Sequence, residues 1–445
     1  MLMAILDVRD EFLVILQPNW ACYVCMLSVM VVAMARSSPT RVEGVRRRPK
    51  DRKAQIARAS AEAFSALGYH GVSMETIAAR VGISAAALYR HYASKYELFR
   101  DAVLNLGQQL VDCTAFADED DSDAEVALGR LVSALIDTAM ANRESGGLYR
   151  WEARYLRGDD QATLFAQMRT VHHRIQRPLT VIRPDLTSRQ RWTLSTAALS
   201  VIGSIVDHRA KLPAIQVRAL LADLADTVLA AELPDVDDAV AEPRQQVPAT
   251  ADASKYEALL NESMRLFNLK GYRDTSMEDI AAAVGMPASG IYRYFSGKSD
   301  ILAAAFRRAA DRLSAELSEI VGSTPEPADA LTAVIDAYVV RSFDGPELDY
   351  VYYTERLNMT PGDQKILRNL QRANVESWVD LVVAVRPDWT PGQARFAVHA
   401  AMSLVIDLGR LMQYENSAPV RAVVERLLDL TLLGRHRLRT ALPAK

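Results

Sequence analysis

Cysteine is scarce in this sequence, which excludes a fold held together by disulfides. Only three Cys occur among 445 residues, a usage typical of a reducing compartment, so we expect a cytoplasmic protein. Glycine and proline, at 20 and 18 residues, are too few for a collagen-like or low-complexity chain. The remaining composition, 50% hydrophobic and 24% charged, is that of a globular protein long enough for two or more domains.

Long apolar runs are also missing. The stretch Tyr23–Met34 is apolar but much too short to span a bilayer, and it follows acidic residues instead of the basic flank of a secretory leader. We therefore predict no membrane association. Residues 1–45 are predicted to be a disordered or mis-annotated N-terminal extension, with Met34 as an alternative start.

Motifs of the common enzyme classes are absent from the sequence as well. It contains no Walker loop, no nucleophile–His–acid order, no G-x-G-x-x-G after a strand and no H-E-x-x-H. Cys22 and Cys25 form a CxxC motif, but it is solitary and lies in the N-terminal extension. We predict that the protein is not an enzyme and that it holds no cofactor and no metal.

The sequence does contain an internal repeat with a constant offset. Phe64–Lys95 aligns with Phe267–Lys298, and 15 of these 32 positions are identical. The same offset pairs Val217–Ala219 with Val420–Ala422 near the end of each copy. Both copies show apolar residues at i, i+3, i+4 and i+7 and no alternating strand pattern. We predict an all-α protein made of two copies of one domain.

A short helix, a glycine turn and a second short helix recur in each copy. In copy one, the first helix is predicted over Met74–Val81 and ends at Gly82, which tolerates the positive φ of a tight turn. Ser84 caps the second helix, which is predicted to run to about Tyr92. Two helices joined in this way form a helix-turn-helix, whose second helix can enter the major groove of DNA. The alternative is a solvated helical hairpin.

Charge is distributed along the chain in a way that favours DNA binding over that alternative. Residues 46–105 carry eleven Lys and Arg against five Asp and Glu, and residues 255–308 carry eight against six, although the net charge of the chain is −3. A basic arm precedes copy one, and we interpret it either as a solvated helix start or as a tether to phosphates or the minor groove. Its candidate DNA-binding residues are Arg46, Arg47, Arg48 and Lys50.

The repeated motif resembles that of the TetR (TetR/AcrR) family of transcriptional regulators. The two segments read SMETIAARVGISAAALYRHYASK and SMEDIAAAVGMPASGIYRYFSGK. They match the family pattern of Ser or Thr, Ile-Ala, a Val-Gly turn, Leu-Tyr (Ile-Tyr in copy two) and a final Lys. The tandem arrangement resembles the tandem TetR-type repressors of the mammalian-cell-entry (mce) lipid-import operons of mycobacteria.

The resemblance implies two tandem TetR-like units, each with a three-helix helix-turn-helix head and a helical domain for ligand binding and dimerisation. A stretch rich in Pro and acids, Pro234–Asp252, separates the units as a linker. The expected boundaries are 46–105 for head one, 106–232 for helical domain one, 233–253 for the linker, 254–308 for head two and 309–445 for helical domain two.

Family roles in DNA binding carry over to matching positions. The phosphate-contacting Tyr and Lys fall on Tyr89 and Lys95, and on Tyr292 and Lys298. The residue capping the second helix falls on Ser73 and Ser276, while Pro287 replaces the capping Ser84 in copy two. The base-facing positions are Ala85, Ala86, Ala87, Arg90 and His91 in copy one, and Ala288, Ser289, Gly290, Arg293 and Tyr294 in copy two. Of these, the two Arg suit either guanine or phosphate.

Aromatic and charged residues mix on helices beyond the heads. One interpretation is an ordinary core with interhelical ion pairs, and the other is a ligand pocket lined by aromatics and a few polar groups. The candidate pocket residues are Trp151, Glu152, Tyr155, Trp192, Tyr353, Glu355 and Trp378.

Together these observations predict a transcriptional repressor that binds double-stranded operator DNA with two unequal half-sites and is released by a small apolar, lipid-like effector. Family members dimerise through their last two helices, here near 191–207 with 217–231 and near 394–410 with 420–433. In one chain these helices can form an internal four-helix bundle, giving a monomeric pseudo-dimer; a homodimer of full chains is the other possibility. The alternative function is a helical ligand carrier or interaction module with one or both heads degenerate.

Overall fold

The computed structural model describes residues 49–120, 122–235 and 251–434. The N-terminal extension, the first part of the basic arm and most of the linker lie outside the described residues. The described part is built from helices, and no strand occurs in it. The predicted all-α class is therefore confirmed.

The two copies present their helices in the same order. Copy one contains α1 (Pro49–Gly71), α2 (Met74–Val81), α3 (Ala85–Tyr89), α4 (Lys95–Cys113), α5 (Ala124–Ala141), α6 (Gly147–Trp151), α7 (Asp159–Ile182), α8 (Ser188–Gly203) and α9 (Ala214–Leu229). Copy two contains α10 (Ala251–Lys270), α11 (Met277–Ala283), α12 (Ala288–Ile291), α13 (Lys298–Ser323), α14 (Pro327–Asp344), α15 (Pro346–Glu355), α16 (Pro361–Val385), α17 (Pro391–Leu411) and α18 (Ala418–Leu432). Single 3-10 turns follow several of them.

Equivalent local signals start equivalent helices. The hydroxyl of Thr187 accepts a hydrogen bond from the backbone N–H of Gln190, whose side chain bonds back to Thr187, and this capping box begins α8. Thr390 and Gln393, at the equivalent positions of copy two, form the same box at the start of α17. The repeat in sequence is thus a repeat in helix boundaries.

Buried apolar residues form three clusters. One lies inside the first head and draws its residues from copy one alone, including Phe64 and Phe99. The second lies inside the second head, yet it also includes Trp151 from copy one. The third, largest cluster runs through the helical domains of both copies without interruption, from Val132 to Leu433. Burial of this shared apolar surface is the main force holding the copies together.

The helices predicted for dimerisation build the contact between copies. Helices α8 and α17 pack against each other, α9 pairs with α8, α18 pairs with α17, and α9 also meets α18. The rings of His208 and His399 stack across this contact, with centroids 4.2 Å apart. No helix in the described ranges is long and apolar enough to cross a membrane.

Candidate nucleic-acid interface

The first helix of each motif forms as the sequence predicts. Ser73 caps the start of α2, where its hydroxyl accepts a hydrogen bond from the backbone N–H of Thr76 at 3.2 Å. Ile77 and Ala78 are buried on the inner face of this helix. Gly82 ends α2 in the left-handed region, at φ 68°. In copy two, Ser276 forms a capping box with Asp279 at the start of α11.

The recognition helices are shorter than expected. Ser84 caps α3 through the N–H of Ala87 at 3.1 Å, but the helix ends at Tyr89, so its predicted extension to about Tyr92 is wrong. The physical reason is packing: Tyr92 is 4% exposed, and the turn after Tyr89 carries its ring into the core of the head. Pro287 starts α12 without a side-chain cap.

Both recognition helices are anchored by one apolar residue and present their other side to solvent. Leu88 and Ile291 are fully buried, whereas the Tyr89 and Tyr292 rings are 49% and 54% exposed. The remaining candidate base-facing residues divide by exposure. Exposed are Ala86, Arg90, His91, Ser289 and Arg293; half-buried are Ala85, Ala87, Ala288, Gly290 and Tyr294.

The equivalent lysines of the two heads both lie 4.6 Å over a Tyr ring, that of Tyr69 or Tyr272, but they differ in the number of carbonyls they reach. Lys95 has its Nζ atom 4.6 Å above the ring of Tyr69 and 3.5 Å from the carbonyl of His70. Lys298 donates to the carbonyls of Tyr272 and Thr275 at 2.5 and 2.7 Å. Partial burial lowers the pKa of both ammonium groups. Lys298 therefore holds the turn between α10 and α11, a role that sequence reasoning missed.

Only part of the basic arm lies within the described residues. Arg46, Arg47 and Arg48 lie outside the described residues, as does the side chain of Lys50, whose backbone belongs to the first turn of α1. Arg52 reaches from α1 to the carbonyl of Val81, at 3.2 Å, and ties α1 to the end of α2.

The candidate pocket residues do not share one location. Trp151 and Tyr353 stack between the copies with ring centroids 4.5 Å apart, and Glu152, Tyr155 and Glu355 lie beside them. Trp192 lies elsewhere, against His172 at 4.8 Å, and the fully buried Trp378 packs on Tyr338. The five residues other than Trp192 and Trp378 make stacking contacts, hydrogen bonds and an ion pair, as expected of an ordinary core with interhelical ion pairs.

Comparison with known proteins agrees with this geometry. The family described as "Bacterial regulatory proteins, tetR family" matches this chain twice, at residues 56–102 and 259–305, once in each head. The chain is 30% identical over 154 residues to the HTH-type transcriptional repressor LfrR of Mycolicibacterium smegmatis, covering 33% of this chain and 74% of LfrR. It is 35% identical over 92 residues to the HTH-type transcriptional activator FasR of the same species, covering 20% of this chain but only 42% of FasR.

Among solved structures, a TetR-family transcriptional regulator from Bordetella parapertussis aligns with a TM-score of 0.37 at 21% identity, over 40% of this chain and 94% of that one. The relatives and the matched family are transcriptional regulators and not enzymes. With a helix-turn-helix of the matched family in each copy, the chain belongs to the TetR family of bacterial regulatory proteins.

Proposed function

We propose that this protein is a transcriptional repressor that binds one operator through both of its heads. The observation that carries the proposal is the presence of two solvent-facing recognition helices in one chain, joined through a single apolar core. Exposed Tyr, Arg and His side chains on these helices supply donors for phosphates and base edges. The proposed heads are residues 46–105 and 254–308, and the DNA-binding residues predicted from the sequence are proposed as contacts, except Lys298, whose ammonium is bonded to backbone carbonyls of its own head.

The proposed binding unit is a single chain acting as a pseudo-dimer. Helices α8, α9, α17 and α18 bury an apolar face that separate subunits of a homodimer would otherwise cover. In this arrangement the chain itself completes the four-helix contact.

The proposed effector is a small apolar, lipid-like molecule that binds a helical domain. This proposal rests on the resemblance of the tandem arrangement to the repressors of the mce lipid-import operons. Such a ligand releases DNA only if it binds the free conformation more tightly than the DNA-bound one. A direct test is release of operator DNA on titration with free fatty acids, with a short-chain acid of equal charge as the control.

A second candidate function is a helical ligand carrier or interaction module in which one or both heads no longer bind DNA. Two observations favour it for half of the molecule: head two carries a smaller excess of basic residues, and the ammonium of Lys298 is committed to backbone carbonyls.

Salt dependence of binding to the DNA upstream of the gene separates these functions. Affinity should fall steeply with salt, because phosphate contacts release counterions. For Lys95→Ala we expect weaker binding to all sequences and a slope smaller by about one. Lys298→Ala is the matched variant: its ammonium is already bonded within the head, so the slope should stay at the wild-type value while head two loses stability.

The measurement is fluorescence anisotropy of a labelled duplex between low and moderate salt. A wild-type affinity that is insensitive to salt would support the carrier function. An unchanged slope in Lys95→Ala would remove Lys95 from the interface.

A further inference from the structure

Two buried carboxylates connect the heads to the rest of the protein. Glu152 is 7% exposed and accepts from the backbone N–H of Tyr69 at 2.5 Å. Glu355, the equivalent residue of copy two, is 3% exposed and accepts from the N–H of Tyr272 at 3.4 Å. Each Tyr directly follows a glycine of positive φ: Gly68 kinks α1 near its end, and Gly271 follows the last residue of α10. The carboxylates therefore hold equivalent points of the two heads.

A single arginine of copy one connects this region to copy two. Arg154 of copy one donates to Glu355 of copy two at 2.7 Å and to the carbonyl of Thr354 at 2.9 Å. The position equivalent to Arg154 in copy two is Leu357, which lies against Gly68 and carries no charge. Arg154 thus pairs directly with Glu355, while Glu152 feels the positive charges of both Arg154 and Arg356.

The electrostatics of Glu152 and Glu355 are correspondingly unequal. Glu355 raises the pKa of Arg154 in spite of burial, so the guanidinium stays charged. Burial raises the pKa of Glu152, and Arg154 only partly opposes this. Arg154 is therefore committed mainly to the acid of the other copy.

Packing shows the same asymmetry. The core of head two includes Trp151 of copy one, whose ring stacks on Tyr353. The core of head one contains residues of copy one alone. Copy one thus reaches the apolar cluster of head two through Trp151, and the carboxylate that holds the turn after α10 through Arg154. Copy two reaches head one through Leu357 beside Gly68, outside the core of that head.

We propose that Arg154 is a positioning residue that fixes the second head relative to the first. The path runs from Arg154 to Glu355 and from Glu355 to the Tyr272 N–H at the end of α10, whereas head one is held by Glu152 of its own copy. The consequence for DNA binding rests on the proposed function: a fixed separation of the heads selects one spacing between half-sites.

Removal of the cation should loosen this connection. With Met at position 154, the Glu355 carboxylate would keep neutral donors, the Asn358 amide and the Tyr272 N–H, in place of the guanidinium, so it should move toward water or toward Asn358. Either outcome weakens the hold on Tyr272 and leaves the interior of head two unchanged.

The test is a distance measurement in the full-length chain without DNA. Spin labels are placed at Arg80 and Ala283, which are exposed and equivalent in the two heads, after Cys22, Cys25 and Cys113 are replaced by Ser. We expect one narrow distance distribution for the parent chain and a broader, shifted one for Arg154→Met and for Glu355→Gln. Arg154→Lys, which keeps the cation, should restore much of the narrow distribution.

Arg157→Met is the matched control, because Arg157 is exposed and lies over the ring of Tyr96 within copy one. It should leave the distribution unchanged. A parent-like distribution in Arg154→Met and Glu355→Gln, in protein of normal helicity, would overturn the proposal.

A second readout uses DNA. With operators whose half-sites are moved apart by single base pairs, Arg154→Met should lose about tenfold in affinity at the natural spacing and most of its preference for that spacing. Binding to an isolated half-site of head one should not change. If the parent chain binds no DNA, the proposed function fails, while the distance measurement still decides the role of Arg154.

Discussion

Replacement of Arg150 by Met is expected to destabilise the protein by about 3–5 kcal/mol, the usual cost of removing one partner from a buried ion pair. Arg150 is 4% exposed, and its guanidinium lies 3.2 Å from Asp207 and 2.6 Å from Asp407. Asp407 belongs to the other copy, so the arginine bridges the contact between α8 and α17. Gly203 faces the guanidinium, where a side chain would collide with it. Without Arg150, the buried carboxylate of Asp207 and the partly buried one of Asp407 would lose the cation that they share.

The defect should depend on pH in a definite direction. Burial raises the pKa of Asp407 above its ordinary value, and Arg150 opposes this. Loss of Arg150 raises that pKa further, which favours the protonated form in the folded state. The variant should therefore recover stability as the pH falls toward the raised pKa and lose it as the pH rises through that value.

Urea unfolding at several pH values measures this effect. Addition of Asp207→Asn and Asp407→Asn to Arg150→Met should restore much of the stability at neutral pH, because the buried charges are gone. Arg218→Met is the control: Arg218 pairs with Asp137 at the surface, where both are about half exposed, so less than about 1 kcal/mol should be lost. If Arg150→Met also lost less than about 1 kcal/mol of stability, at every pH, the Arg150 bridge would not hold the copies together.

The operator is expected to consist of two related but unequal half-sites in a fixed orientation. The heads share the exposed Tyr and Arg of their recognition helices, so both should dock in the same way. They differ where His91, which is exposed, is replaced by the half-buried Tyr294. Single base-pair changes should cost about 1–3 kcal/mol each, at different positions in the two half-sites. Head one should contribute more of the affinity because its excess of basic residues is larger.

Footprinting with base-by-base mutation of each half-site checks this prediction. A sharper version makes the heads alike: Ala86→Ser, Ala87→Gly and His91→Tyr give head one the base-facing residues of head two at these positions. The preferred operator of that triple variant should approach a palindrome. If the parent chain already prefers a perfect palindrome with equal costs on both sides, two identical heads from separate chains are binding.

Local features of this fold could be predicted from the sequence. The bounds of α2 follow from Ser73 and Gly82, which act on their own neighbours, and the predicted and observed helix agree at both ends. The all-α class follows from the helical periodicity of apolar residues. Signals of this kind do not depend on distant parts of the chain.

Features set by tertiary contacts could not be predicted in the same way. The early end of α3 depends on the burial of Tyr92, and the contacts of Lys298 depend on carbonyls of the turn after the first helix of its head. Ion pairing near Arg154 was one of two interpretations of its aromatic and charged neighbourhood. That its partner is Glu355, in the other copy, emerges only when the copies are packed together.

The mass of the complex with operator DNA tests the central claim most directly. One chain of 49.2 kDa carries both heads, so native mass spectrometry of the protein on a full operator should find a single chain for each duplex. The free protein should likewise keep the mass of one chain on dilution. Two chains on each operator, or a free dimer that survives dilution, would contradict the internal pseudo-dimer.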